Sequence, residues 1–211
     1  MPFRYRFLRS NDFPAVFELY KQDTALFHSN TWAMLPKLLP DLFERHRLTS
    51  GVVEDSESGK LSFFGFTAWA KPSILGALLA KHSGPFRDSL LRAEATGQHI
   101  FLSPKQVALA NTSGDLALLH LGGCPDDKDF TQPRGFEIHR MAFEFFAMIH
   151  SGYQISEFWQ ENLLPEANLH AASMGMTSVR QCLLPNGTSS HLFRFNREGA
   201  LARPGAQLAY L

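Results

Sequence analysis

Hydrophobic and polar residues alternate with two different periods along this chain, and each change of period marks a predicted element. Residues 3–8 alternate with the period of two that is typical of a strand. Ser10, Asn11 and Asp12 are capping residues and Pro14 suits a first helical turn, so a helix is predicted to run to about residue 23. A second helix is predicted over residues 35–48, which include two prolines.

The middle of the chain reads as a hairpin followed by short helices. Residues 50–54 and 61–69 are rich in strand-forming side chains, and residues 55–59 have the Asp, Ser and Gly composition of a turn. Apolar residues then recur at helical spacing between residues 72 and 111, with interruptions at Gly84-Pro85 and Gly97. Three short helices are therefore predicted in this stretch.

The second half begins with a continuous apolar run at residues 116–121, which predicts a central strand covered on both faces. Gly122-Gly123 is expected to end this strand. An amphipathic helix is predicted over residues 136–150. The remaining predicted elements are strands at 153–159, 177–184 and 191–195 and a short helix at 165–174.

Composition excludes several classes of protein. The chain has 211 residues, of which 45% are hydrophobic, and its formal net charge is zero, so a basic nucleic-acid-binding domain is not indicated. No apolar run is long enough for a membrane span. Two cysteines, Cys124 and Cys182, form neither a disulfide framework nor a zinc cluster, which favours a reducing, cytoplasmic setting. Residues 196–211 read as a linker-like tail of a single domain.

The order of elements is strand, helix, helix, two strands, central strand, helix, strand, helix and two strands. This order resembles the GCN5-related N-acetyltransferase fold, as do the segments RFLRSNDFPAVFELY, GVVEDSESGKLSFFGFTAWA and EANLHAASMGM. The resemblance implies an α/β (α+β) fold with a mixed, mostly antiparallel twisted sheet flanked by helices. The helices of residues 72–111 are then an insertion between the third and fourth strands. They are interpreted either as decoration or a dimer contact, or as a lid over a ligand pocket.

In that family acyl-coenzyme A lies between the fourth and fifth strands, and backbone N–H groups at the start of the following helix hold its pyrophosphate. The matching segment here implies cofactor contacts at Gln132, Arg134 and Gly135, while Glu137 occupies the position of the family's second glycine. The central strand at Leu119 and Leu121 and an asparagine after the fifth strand, Asn162, are further implied contacts. The family's tyrosine acid is absent, because its position holds Ala171.

The candidate catalytic residues are His120 and Glu137. His120, in the central strand, is either a general base or a core histidine with satisfied hydrogen bonds. Glu137 is either a base at the cleft or a first-turn acid that interacts with the helix dipole.

The resemblance implies transfer of an acyl group from acetyl-CoA or another acyl-CoA to the amine of a small molecule. A backbone N–H near Leu121 would stabilise the oxyanion, and His120 or a water molecule would accept the amine proton. The alternative is a non-catalytic ligand-binding or sensor module that has lost coenzyme A chemistry. A homodimer is expected by analogy, with neither a membrane nor a nucleic acid as partner.

Overall fold

The computed structural model describes residues 3–125 and 133–196, apart from the side chains at positions 22, 23, 123–125, 136, 139 and 143. The first half contains β1 (Phe3–Phe7), α1 (Phe13–Tyr20), α2 (Ser29–Glu44), β2 (Leu48–Asp55), β3 (Leu61–Ala70), α3 (Pro72–Lys81), α4 (Phe86–Ala95) and α5 (Pro104–Ser113). The second half contains β4 (Leu116–Pro125), α6 (Pro133–His150), β5 (Ile155–Asn162), α7 (Pro165–Ser173), β6 (Thr177–Leu183) and β7 (Ser189–Asn196).

The strands form one mixed sheet in the order β1-β2-β3-β4-β5-β7-β6. The β4–β5 pair is parallel, and the other pairs are antiparallel. This is the mixed, mostly antiparallel α/β architecture predicted from the sequence, with three inserted helices, α3 to α5, between β3 and β4.

Helices cover both faces of the sheet. The largest hydrophobic cluster joins α1 to α4 to one face, which includes Phe64, Leu119 and Trp159; we call this side the α4 face. Smaller clusters join α5, α6 and α7 to the opposite face, the α6 face. Because strand side chains alternate, His120, Gln160 and Asn162 belong to the α6 face. Every helix among the described residues is too short or too polar to span a lipid bilayer.

Two predicted helices in the first half had wrong boundaries. The first helix ends at Tyr20, and a 3-10 stretch over Lys21–Leu26 follows it. The second helix spans Ser29–Glu44 rather than residues 35–48, with both Pro36 and Pro40 inside it. Prolines inside a helix cost stability, but burial of an apolar stripe offsets that cost here. The stripe consists of Leu35, Leu39 and Leu42.

Three predicted elements in the second half also had wrong boundaries. Gly122-Gly123 does not end the central strand, because β4 continues to Pro125 in register with β3. The next helix begins at Pro133 rather than at residue 136, and β5 spans Ile155–Asn162 rather than residues 153–159. The strand shift places Asn162 at the end of β5 rather than after it. The predicted tail falls outside the described residues from residue 197 onward.

Candidate active site

The candidate site lies where the parallel strands β4 and β5 separate. Their register runs from Leu116 with Ile155 to His120 with Gln160, and it stops there. Beyond this point β4 continues along β3, while β5 continues along β7 to Asn162. The two strands therefore diverge at this point.

A β-bulge in β4 coincides with this divergence. The β3 register passes from Thr67 with His120 to Phe66 with Gly122, so Leu121 is the extra residue of the bulge. Leu121 has no register partner among the described residues of β3 or β5. Its carbonyl oxygen accepts a hydrogen bond of 2.9 Å from the Tyr20 hydroxyl. The bulge thus places the Leu121 N–H outside the regular ladder, close to where the sequence predicted an oxyanion donor.

Gly122 is required by close packing on the α4 face. Its φ is +149°, and a Cβ atom there would lie 3.2 Å from the Tyr20 ring and 3.3 Å from Nη1 of Arg87. Glycine is favoured there, because this φ strains other residues and a Cβ atom would crowd both side chains. Gly122 therefore serves the bulge, and the glycine pair does not terminate the strand.

Amide side chains form a hydrogen-bonded chain on the α6 face of the divergence. Nε2 of Gln160 donates to Oδ1 of Asn162 at 2.5 Å, and Nδ2 of Asn162 donates to the carbonyl oxygen of Ala167, in α7, at 3.1 Å. Both side chains are more than nine-tenths buried. Oε1 of Gln160 has no hydrogen-bond partner among the described residues, which is costly for a buried oxygen unless a ligand or water donates to it.

Gln160 was missed in the sequence-based prediction. The available signal was its spacing: it precedes Asn162 by two residues, so both lie on the same face of a strand. The predicted strand ended three residues too early, at Trp159, which left Gln160 and Asn162 outside it and concealed that relation. Asn162 itself binds Gln160 and α7, so it links β5 to the helix as well as bordering the divergence.

His120 lies at the same divergence. Its ring centroid is 6.1 Å from that of Phe146, in α6, and it lines a small cavity together with Leu119, Leu121 and Gln160. It is only partly buried. The structure therefore brings together His120, Leu119, Leu121 and Asn162, four of the residues predicted for the site.

The residues at the start of α6 lie elsewhere. The guanidinium of Arg134 lies 5.2 Å from the centroid of the Phe3 ring, and a groove of about 380 Å³ is lined by Phe3, Asp55, Arg134 and Glu137. Gly135 is buried within the first turn of α6. Gln132 lies outside the described residues. Arg134 therefore faces the β1–β3 side of the sheet and not the divergence of β4 and β5.

Glu137 is not placed as a base at the cleft. It precedes Phe146, the helical neighbour of His120, by nine residues, or roughly 13 Å along the axis of α6. Its carboxylate accepts hydrogen bonds of 2.7 and 3.0 Å from Arg140, which lower its pKa from the ordinary value. A lowered pKa weakens a base. The alternative of a first-turn acid was wrong as well, because α6 begins at Pro133 and its first turn contains no acidic residue. Glu137 is an acid paired with Arg140.

On the α4 face the inserted helix α4 closes the divergence. The carboxylate of Glu161 accepts hydrogen bonds from the backbone N–H groups of Phe86 and Arg87, at 3.0 and 2.8 Å, and from the Ser190 hydroxyl at 3.0 Å. Nη2 of Arg87 donates to the Glu161 carbonyl oxygen at 2.8 Å. Because these groups are buried, α4 is an integral wall of the site rather than surface decoration.

No protein-family model and no curated protein matches the amino-acid sequence. Solved structures do match the fold. A mosquito arylalkylamine N-acetyltransferase like 5b has a TM-score of 0.56 at 13% identity, over 92% of this chain and 99% of that one. Arabidopsis thaliana NAA60 in complex with acetyl-CoA has a TM-score of 0.54 at 10% identity, over 93% and 99% of the two chains.

The Drosophila melanogaster polyamine N acetyltransferase has a TM-score of 0.53 at 13% identity, over 92% of this chain and 99% of that one. This chain has the GCN5-related N-acetyltransferase fold. It is a divergent example of that fold, because identities of 10–13% accompany coverage of nearly the whole chain. The divergence of β4 and β5, which the acetyltransferase fold contains, is the candidate active site.

Proposed function

We propose that this chain binds acyl-coenzyme A, acetyl-CoA in the first instance, where β4 and β5 diverge, and transfers the acyl group to the amine of a small molecule. The observation that carries the proposal is the bulge at Leu121, which lies at the point where β5 leaves β4. The fold supports it, since the similar solved structures include N-acetyltransferases and an acetyl-CoA complex.

The residues at the divergence suit such a ligand. Oε1 of Gln160 is a buried acceptor that an N–H donor of the ligand would satisfy. Backbone N–H groups of the first turn of α6 would hold the ligand's phosphates. The side chains of Arg134 and Glu137 would not take part, because they face the β1–β3 side of the sheet. Bound acyl-CoA would supply an activated thioester carbonyl. The Leu121 N–H would donate a hydrogen bond to the oxygen on which negative charge develops.

His120 is assigned the role of proton acceptor from the amine. It lines the cavity at the divergence, and an imidazole is matched to proton transfer near neutral pH. Glu161 lines the same cavity, but its carboxylate holds the start of α4 through three hydrogen bonds. We therefore assign Glu161 a positioning role.

A second candidate function is a non-catalytic ligand-binding or sensor module. The observation that favours it is α4, which fills the α4 face of the divergence with Phe86, Arg87 and Leu90. An amine acceptor would need space close to the thioester carbon, since the reacting atoms must approach to about 3–3.5 Å.

The experiment combines calorimetric titration with acetyl-CoA and a free-thiol assay over a panel of small amines. Saturable binding with amine-dependent thiol release supports the acyltransferase, and His120→Gln should then lower turnover about 10²–10⁴-fold with affinity unchanged. Gln160→Leu should weaken binding by about tenfold, the effect of one hydrogen bond. Gln181→Leu, on the exposed side of β6, is the matched control. No saturable binding at millimolar acetyl-CoA overturns the acyltransferase and favours the second candidate.

A further inference from the structure

The cavity at the divergence of β4 and β5 is lined by both strands and by α4. Residues 119–121 of β4 and 159–161 of β5 contribute to its lining. Phe86, Arg87 and Leu90 line it from α4. An extended ligand that enters from the α6 face would therefore meet α4 after it has passed between the strands.

The space in front of α4 is very small. The cavity volume is about 10 Å³, which is about the room that a single water molecule needs. A methyl group is of similar size, so the terminal group of a ligand is limited to about one carbon atom beyond the strands. A longer apolar chain would overlap Phe86 or Leu90, and overpacked cores are destabilised.

The start of α4 is held in place. The Phe86 ring stacks on Trp159 with centroids 5.3 Å apart and an interplanar angle of 24°. The Glu161 carboxylate accepts the hydrogen bonds of the first two N–H groups of the helix. These contacts prevent the Phe86 end of the wall from moving aside at low energetic cost.

The rest of α4 is held as well. The Asp88 carboxylate accepts a 2.9 Å hydrogen bond from the His28 N–H. Near the other end Glu94 forms an ion pair of 3.2 Å with Arg47 and accepts a 3.0 Å hydrogen bond from the Phe101 N–H. Since Asp88 and Glu94 are buried, moving the helix would expose or unpair several charged groups. The α4 wall is fixed and does not behave as a hinged lid.

We propose that α4 determines acyl-chain length: Phe86 and Leu90 limit the ligand of this site to acetyl-CoA and exclude coenzyme A esters of longer acyl chains. The inference rests on the proposed binding of acyl-CoA. It applies equally to a catalytic and to a non-catalytic site, because it concerns which ester fits.

Affinities of unacylated CoA, acetyl-CoA and butyryl-CoA, measured by calorimetry, test the proposal. In the natural chain butyryl-CoA should bind at least about tenfold more weakly than acetyl-CoA, as expected for extra methylene groups that a pocket cannot accommodate. Leu90→Ala shortens the side chain that limits the cavity at α4. The affinity for acetyl-CoA divided by that for butyryl-CoA should then fall to about one or below one. Leu90→Val, a smaller change, should give an intermediate ratio and guards against loss of folding in the alanine variant.

Leu91→Ala is the matched control. Leu91 is as buried as Leu90 and belongs to the same helix and cluster, but it does not line the cavity. This variant should keep the ratio of the natural chain. Equal affinities for acetyl-CoA and butyryl-CoA in the natural chain, or a ratio that Leu90→Ala and Leu90→Val leave unchanged, would overturn the role of α4. If the natural chain does not bind unacylated CoA, the proposed function is overturned instead, because that ligand has no acyl group to contact α4.

Discussion

Replacing Glu161 by glutamine should destabilise the protein through the start of α4. The carboxylate is 4% exposed and accepts three hydrogen bonds, from the N–H groups of Phe86 and Arg87 and from the Ser190 hydroxyl. Glutamine has nearly the same shape but only one accepting oxygen. Its amide nitrogen would therefore face a buried backbone donor.

The magnitude follows from these contacts. Oε1 of Glu161 accepts from Phe86 and Ser190, while Oε2 accepts from Arg87. If the glutamine oxygen takes the first position, two hydrogen bonds lose their charge assistance and the Arg87 N–H loses its partner. A hydrogen bond to a charged group contributes about 1.5–3 kcal/mol, and an unsatisfied buried donor costs about 1–3 kcal/mol. We expect a loss of about 3 kcal/mol, or about 6–12 °C in melting temperature for a chain of this size.

Urea unfolding followed by tryptophan fluorescence is a suitable assay, because Trp159 stacks on Phe86. The midpoint should fall while the m-value stays constant. Glu18→Gln is the control: Glu18 is exposed and pairs with Lys21 at 2.7 Å, and such surface pairs contribute about 0–1 kcal/mol. If the two variants were destabilised equally, or Glu161→Gln by less than about 1 kcal/mol, Glu161 would not hold α4 as described.

Three further predictions concern single positions. Gly122→Ala should lower the free energy of unfolding by about 2 kcal/mol, because the φ of +149° strains an alanine and the new Cβ lies 3.2 Å from the Tyr20 ring. Calorimetric scanning measures this loss, and an unchanged melting temperature would contradict it. Gly76→Ala, in α3 with nothing within 4 Å of the new Cβ, should instead raise stability by about 0.5–1 kcal/mol in the same scans. Burial lowers the pKa of His150 from 6.5 to about 4. The contribution of the neutral imidazole to the free energy of unfolding is therefore complete above pH 6.5 and is lost as the pH falls toward 4, with a loss of about 2 kcal/mol at pH 5. Urea titrations at pH 7 and pH 5 should show this loss, and a His150→Gln variant with the same loss would refute the assignment.

The type and order of the elements could be predicted because local patterns specify them. The alternation at residues 3–8, the Asp-Ser-Gly turn before β3 and the apolar run of β4 each depend on near neighbours in the chain. The predictions were wrong at boundaries where a distant contact outweighs a local signal. Pro36 and Pro40 are local helix breakers, yet α2 continues through both because its apolar stripe is buried against the sheet. Gly122 continues a strand because Tyr20 and Arg87 require a residue without a side chain there.

The sequence by itself determined the layers of this protein: an α/β chain of acetyltransferase fold, a central apolar strand, and three helices inserted before it. It also indicated His120, within the central strand, and the family resemblance indicated Asn162, near the end of the fifth. Only the tertiary structure decided which side chains share the site. It hydrogen-bonded Gln160 to Asn162 and paired Glu137 with Arg140. It also fixed the start of α4 through a hydrogen bond from the Arg87 N–H to Glu161, 74 residues further along the chain. Such pairings depend on strand register and on packing between distant segments, and the period of a local sequence pattern contains no information about either.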